Sequence, residues 1–154
     1  MKKLIYILAI VMISSSLFAQ KADLSGKWKL NREKSELAEQ FSMAPEDIEM
    51  TMDKNTLTEV RHVNWQGETI TITDKFTLDG KTCENPGWMD TVKKSTATWS
   101  DDGKVLTIVT KIPMQDEEMT VTAKYKIEDG KMVINSEASS SYGVMNEVQV
   151  FEKL

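Results

Sequence analysis

The sequence predicts an all-β domain, an up-and-down antiparallel β-barrel of eight to ten strands with one short helix after the first strand. Three observations point there. Apolar residues recur with period two rather than 3.6: Met119, Val121, Ala123, Tyr125 and Ile127 fall on one face, and Thr120, Thr122, Lys124 and Lys126 on the other. Asp-Gly-Lys occurs three times between alternating runs, at Asp79–Lys81, Asp102–Lys104 and Asp129–Lys131. Asp-Gly suits tight hairpins, because a type I′ turn needs positive φ at both central residues. The length of 154 residues fits one domain. So many short strands in so small a unit either stack or close, and closure removes exposed edges.

Residues 1–19 read as a cleaved signal peptide rather than as part of the fold. Lys2 and Lys3 precede an apolar run from Leu4 to Ile13, followed by Ser14-Ser15-Ser16 and Ala19. That run has the length of a signal h-region, whereas a spanning helix needs roughly twenty residues. Cleavage after Ala19 leaves 20–154 as the mature domain, exported to the periplasm or the outside medium. It also takes the formal charge from −5 to −7, which disfavours nucleic acid as a partner. The remainder contains no apolar run long enough to span a bilayer.

Within 20–154 the strands fall at about 25–31, 47–53, 56–64, 68–78, 81–85, 91–99, 104–112, 118–128, 131–139 and 143–153. Ile70, Ile72, Phe76 and Leu78 share a face, and Ile48, Met50 and Met52 repeat the pattern. The helix candidate is Glu33 to Phe41, where Ser35, Leu37, Ala38 and Phe41 share a helical face before Pro45. Asp53-Lys54-Asn55 and Asn64-Trp65-Gln66-Gly67 read as further turns.

Ser25-Gly26-Lys27-Trp28-Lys29-Leu30 carries the Gly-x-Trp that opens lipocalin and fatty-acid-binding-protein barrels. Phe151-Glu152-Lys153 is similar to the closing strand of the latter. The whole of 23–154 resembles the small lipocalin-like (calycin) domains exported by Bacteroidetes-type bacteria. The motifs shared with those domains are Gly26 to Asn31, Leu78 to Lys81 and Trp99 to Lys104. The resemblance implies a barrel that binds a small ligand, with Trp28 plugging its closed end. One departure concerns ligand chemistry. Fatty-acid-binding proteins close with Arg-x-Tyr, which holds a ligand carboxylate. Gln149 and Phe151 stand there, and Gln supplies no charge.

Charged residues that interrupt an apolar face are the most informative about a site. Asp74 is in register with Ile72 and Phe76, and Arg61 and Glu59 are in register with Leu57 and Val63. If these faces point inward, the charges must pair or contact a polar ligand; a local bulge would instead turn them outward. The candidate ligand-binding set is Met50, Met52, Arg61, Ile72, Phe76, Tyr125, Gln149 and Phe151, with Arg61 as the anion contact. Apolar burial would provide affinity, and Arg61 and Gln149 orientation.

The sequence points to no catalytic, metal or cofactor site. His62 and Cys83 are the only residues of their kinds, while zinc and most hydrolytic sites need several converging ligands or a paired base. The leading expectation is therefore a non-enzymatic protein that reversibly binds a small hydrophobic or amphipathic molecule inside the barrel. One alternative is a protein-interaction module with a filled barrel, recognising its partner through Asn85 to Met89. Another, more distant, is an enzyme that gathers Asp74 with His62 or Glu147. Neither ligand identity nor oligomeric state follows from the sequence.

Overall fold

A computed structural model describes residues 20–154; the expected signal segment 1–19 lies outside the described residues. Ten strands follow in order: β1 (Gly26–Leu30), β2 (Asp47–Met52), β3 (Thr56–Trp65), β4 (Glu68–Thr77), β5 (Cys83–Pro86), β6 (Val92–Trp99), β7 (Val105–Pro113), β8 (Glu118–Glu128), β9 (Lys131–Ser140) and β10 (Gly143–Lys153). They form one antiparallel sheet, β4-β3-β2-β1-β10-β9-β8-β7-β6-β5. The period-two pattern thus becomes strands whose limits fall within two residues of those expected.

The sheet curls into a nearly closed barrel. β1 pairs with β10, placing Leu30 opposite Phe151, so the two ends of the domain lie side by side. β4 and β5 occupy the two ends of the strand order. Between them the Asn85 side chain does the work of a ladder: Oδ1 accepts from Lys75 N (2.7 Å) and Nδ2 donates to Lys75 O (3.0 Å). A primary amide can do this because it presents donor and acceptor together, as a peptide group does.

The helical expectation needs correction. One 3₁₀ turn forms at Arg32–Lys34, with the Asn31 side chain accepting from Lys34 N. The chain then extends, and Glu36 exchanges two backbone hydrogen bonds with Val148, at 2.7 and 2.9 Å. The reason is geometric. β1 is five residues long and β10 eleven, so β10 offers an uncovered edge beyond β1, and pairing with it satisfies the backbone groups a helix would have used. Glu36 thus continues the barrel wall, and residues 39–41 turn before β2 instead of forming a helix.

The Asp-Gly-Lys turns also differ from one another. Asp129 (φ 48°) and Gly130 (φ 74°) form the expected positive-φ pair between β8 and β9, as do Gln66 (φ 53°) and Gly67 (φ 89°) between β3 and β4. At Asp102-Gly103 only the glycine is left-handed, in a longer loop closed by Ser100 N to Val105 O. Asp79-Gly80 joins β4 to β5, the seam of the barrel, and makes no hairpin.

Alternate connections of a meander lie at opposite ends. The end carrying the β2–β3, β4–β5, β6–β7 and β8–β9 turns is sealed. Leu24, Trp28, Leu57, Leu106, Met132 and Phe151 are fully buried there in one cluster. Trp28 Nε1 donates to Leu24 O (2.9 Å), so the indole is both packed and satisfied. The opposite end is the mouth. Its β5–β6 loop is wound tightly, with Gly87 N donating to Thr91 O at 2.7 Å. A Cβ on Gly87 would lie 2.4 Å from Thr91 Oγ1 and 3.1 Å from Thr91 O. Gly87→Ala should therefore destabilise the barrel by about 1–3 kcal/mol through overpacking. A urea titration checks this; an unchanged midpoint would show that the loop simply relaxes.

Candidate functional site

The inward faces divide the barrel into two halves. Alternation from buried Tyr125 places Met119, Val121 and Ala123 of β8 inward, and register then adds Ser136 and Ala138 of β9 and Met145 and Glu147 of β10. Toward the mouth these residues are small or flexible, and all but Glu147 are partly accessible despite pointing inward. Toward the closed end the same faces carry the fully buried cluster. The mouth half is thus less tightly filled than the closed end, although Val63 of β3 is buried there too.

Its floor is polar. Tyr125 on β8 donates to Glu59 on β3 across the barrel (2.9 Å). Arg61 approaches Glu59 Oε2 at 3.3 Å through Nε and binds Asp74 Oδ2 at 2.6 Å through Nη2. The Nε contact is a charge contact without hydrogen-bond alignment, since Arg61 Nε has no hydrogen-bond partner. Lys93 on β6 donates to both Asp74 oxygens, at 2.7 and 2.8 Å. The register through Glu59↔Asp74 is continuous, with no bulge, so the charges that interrupt the apolar pattern point inward and neutralise one another. A second polar pair lies on β10: Glu147 Oε2 accepts from Gln149 Nε2 (2.9 Å), and Oε1 accepts from Ala38 N of the β1–β2 segment (3.0 Å).

Burial pushes the Glu59 carboxyl above its ordinary range, against the pull of Arg61 and the Tyr125 hydrogen bond. Burial, with Glu59 alongside, holds the Tyr125 phenol well above its usual value, so it remains a donor. The folded state therefore binds the Glu59 proton more tightly than the unfolded chain does. Stability associated with that proton is complete at low pH and is lost as pH rises through the folded pKa. Turn carboxylates such as Asp53 and Asp79, held low by backbone N–H donors, act with the opposite sign. A difference between variants isolates Glu59. The melting temperature of Glu59→Gln minus that of the native chain should become more positive from pH 4 to pH 7.5, and a flat difference would contradict the assignment.

All eight candidate binding residues are on inward faces. They do not form one site. Met50, Phe76 and Phe151 sit in the sealed cluster, and Met52 packs against it. Tyr125 and Arg61 belong to the polar floor, Gln149 is engaged by Glu147, and Ile72 stands opposite Arg61. Of the pairings proposed for an enzyme, Asp74 with His62 is not assembled, since His62 faces outward and pairs with Asp47, and the hydrogen bonds of inward-facing Glu147 come from Ala38 and Gln149. Among the described residues, no three His, Cys, Asp or Glu side chains converge as metal ligands do. No described helix is long and apolar enough to cross a membrane.

Sequence reading missed Lys93, and it placed Asn85 in a recognition loop, whereas Asn85 is buried at the seam. Lys93 shares the parity of buried Ser95 and Ala97 on β6, so its inward direction was available as a signal. Asn85 had none, because its role depends on where the seam falls.

The mouth is rimmed with apolar side chains. Trp88 (69% exposed), Met89 (81%) and Tyr142 (88%) stand out from the β5–β6 and β9–β10 loops, and Phe41 from the β1–β2 segment. Phe41, Met89 and Asp90 also hold left-handed φ without being glycine, a strain common in recognition loops. A cleft of about 360 Å³ separates the β7–β8 and β9–β10 tips, lined by Met114, Glu117 and Tyr142 among others.

Comparison with solved structures agrees with this geometry. A chain described as "REP1-NXSQ fatty acid transporter" superposes with a TM-score of 0.60 at 16% identity, over 85% of this chain and 96% of its own. Zebrafish ileal bile acid-binding protein, complexed with cholic acid, gives 0.59 at 20% identity, over 84% and 98%. The fold is calycin-like. It is similar to that of fatty-acid-binding proteins, with the 3₁₀ turn and extended segment standing where the notional helix was expected. No family model matches the chain, and neither does any curated protein.

Proposed function

We propose that the mature domain is exported and reversibly binds one small, partly apolar molecule in the mouth half of the barrel. The observation that carries this reading is the contrast between the halves. Inward residues are sealed below the Tyr125–Glu59 bridge, while above it Val121, Ala123, Ser136 and Ala138 are small and accessible. An apolar-walled recess with a few placed polar groups is the usual form of a small-molecule site. The calycin-like fold is consistent with it, since the similar structures are a fatty acid transporter and a bile acid-binding protein. Export rests on the basic-then-apolar segment 1–19, and the mass of the secreted form, starting at Gln20, tests it.

Nile red, a neutral apolar dye, tests the recess. It should bind saturably at one to one, with a blue-shifted emission. Ala138→Trp fills the recess and should weaken binding tenfold or more while the melting temperature is retained. Equal binding by this variant would overturn the reading.

The exposed Trp88 and Met89 favour a second reading, recognition of a protein partner by the mouth loops. It would leave dye binding insensitive to Ala138→Trp and sensitive to Trp88→Ser.

A further inference from the structure

Resting on that proposal, we infer that the ligand's polar end is a hydrogen-bond donor without negative charge, an amine in preference to an alcohol, and that a carboxylate is excluded. Both inward cations are already committed. Lys93 lies against Asp74 at 2.7 Å, and Arg61 lies between Asp74 (2.6 Å) and Glu59 (3.3 Å). A ligand carboxylate at Arg61 would be a third acid around one guanidinium. The position where fatty-acid-binding proteins carry the Arg of Arg-x-Tyr holds Gln149, whose amide donates to Glu147.

Glu147 has the opposite character. It is buried, faces inward and is opposite Ser136 in the accessible half. Its carboxylate accepts one hydrogen bond on each oxygen, from Ala38 N and Gln149 Nε2, and both donors are neutral. Two oxygens offer about four acceptor positions, so a ligand donor can be added without displacing either partner. Arg61 pairs with Glu59 and Asp74, and Lys93 with Asp74, so among the described residues neither inward cation is paired with Glu147. An ammonium head would supply the cation that Glu147 lacks, whereas a carboxylate head would meet a buried like charge.

The approach to the recess has the same sign. Stretches 64–69, 86–92, 113–118 and 140–146 at the mouth contain Glu68, Asp90, Asp116, Glu117 and Glu118 and no Lys or Arg, and the β1–β2 segment adds Glu33, Glu36, Glu39 and Glu46 against Arg32 and Lys34. The closed-end turns come nearer to balance, with Lys54, Lys81, Lys104 and Lys131 standing beside Asp53, Asp79, Asp101, Asp102 and Asp129. The acidic excess at the mouth draws cations to it and repels anions from it.

Three probes of one chain length decide the matter: dodecylammonium, dodecanol and dodecanoate, each competing with Nile red at pH 7.5 and 150 mM salt, below their aggregation thresholds. The expected order is ammonium, then alcohol, then carboxylate, with at least a tenfold gap between the first and last. Glu147→Gln should shrink that gap at least fivefold, while Glu39→Gln, on the exposed part of the β1–β2 segment, leaves it in place. Melting curves confirm that both variants are folded. Dodecanoate equalling dodecylammonium, or a gap untouched by Glu147→Gln, overturns this inference and leaves the recess intact. Failure of all three to displace the dye, or of the dye to bind, overturns the recess and this inference together.

Discussion

Replacing Asp74 with Ala is expected to lower the stability of the barrel by about 3–5 kcal/mol, the penalty for stranding buried cations. Asp74 is the single acceptor that Arg61 and Lys93 share, at 2.6 Å and 2.7 Å, and its side chain is 5% exposed. Without it, Lys93 loses its ion-pair partner in a setting where its own side chain is 10% exposed. That is a large part of the roughly 5–15 kcal/mol available to a domain. Lys93→Met in the same chain should restore part of the loss, because it removes the stranded charge while keeping the volume. Urea titrations of Asp74→Ala and of the double variant measure both effects. A loss under about 1 kcal/mol for the single variant would mean that Lys93 swings out to water and that the polar floor is not a fixed element.

The second large effect concerns Phe151. This ring is fully buried in the sealed cluster on the closing strand, with Leu30 opposite on β1 and Met132 opposite on β9. Phe151→Ala should remove about 3–5 kcal/mol, the lost transfer energy plus the cavity left behind. Phe151→Leu should cost much less. The variant also separates two roles. If Phe151 only seals the barrel, the folded fraction of Phe151→Ala binds Nile red as the native chain does. A tenfold weaker affinity in the folded fraction would place the ligand deep in the closed end, against the assignment of the recess to the mouth half.

Strand order and limits were legible because inward and outward residues alternate cleanly and because short, polar turns separate them. The helix was not legible. Ser35, Leu37, Ala38 and Phe41 have helical spacing, but the pull on this segment comes from the free β10 edge at Val148, a tertiary feature. Asp74, Glu59 and Arg61 stood out as charges on apolar faces, and the structure brings them together with each other. What no spacing showed was that the group closes on itself through Lys93, contributed by a strand distant in sequence. Similarly, Met50, Phe76 and Phe151 were legible as inward-facing, but depth along the barrel depends on closure and on which end the Trp28 cluster seals.

Methionine methyls provide the most direct test of a recess confined to the mouth half, since they occur in each part of the molecule. Met119 and Met145 face inward near the mouth, Met50 and Met132 lie in the sealed cluster, and Met89 and Met114 stand on the exposed rim. In a titration of [13C-methyl]methionine-labelled mature protein with dodecanol, followed by NMR, the Met119 and Met145 signals should move saturably while those of Met50 and Met132 stay fixed. Shifts confined to Met89 and Met114 would show adsorption on the rim, and a titration that leaves Met119 and Met145 unmoved would contradict the binding recess outright.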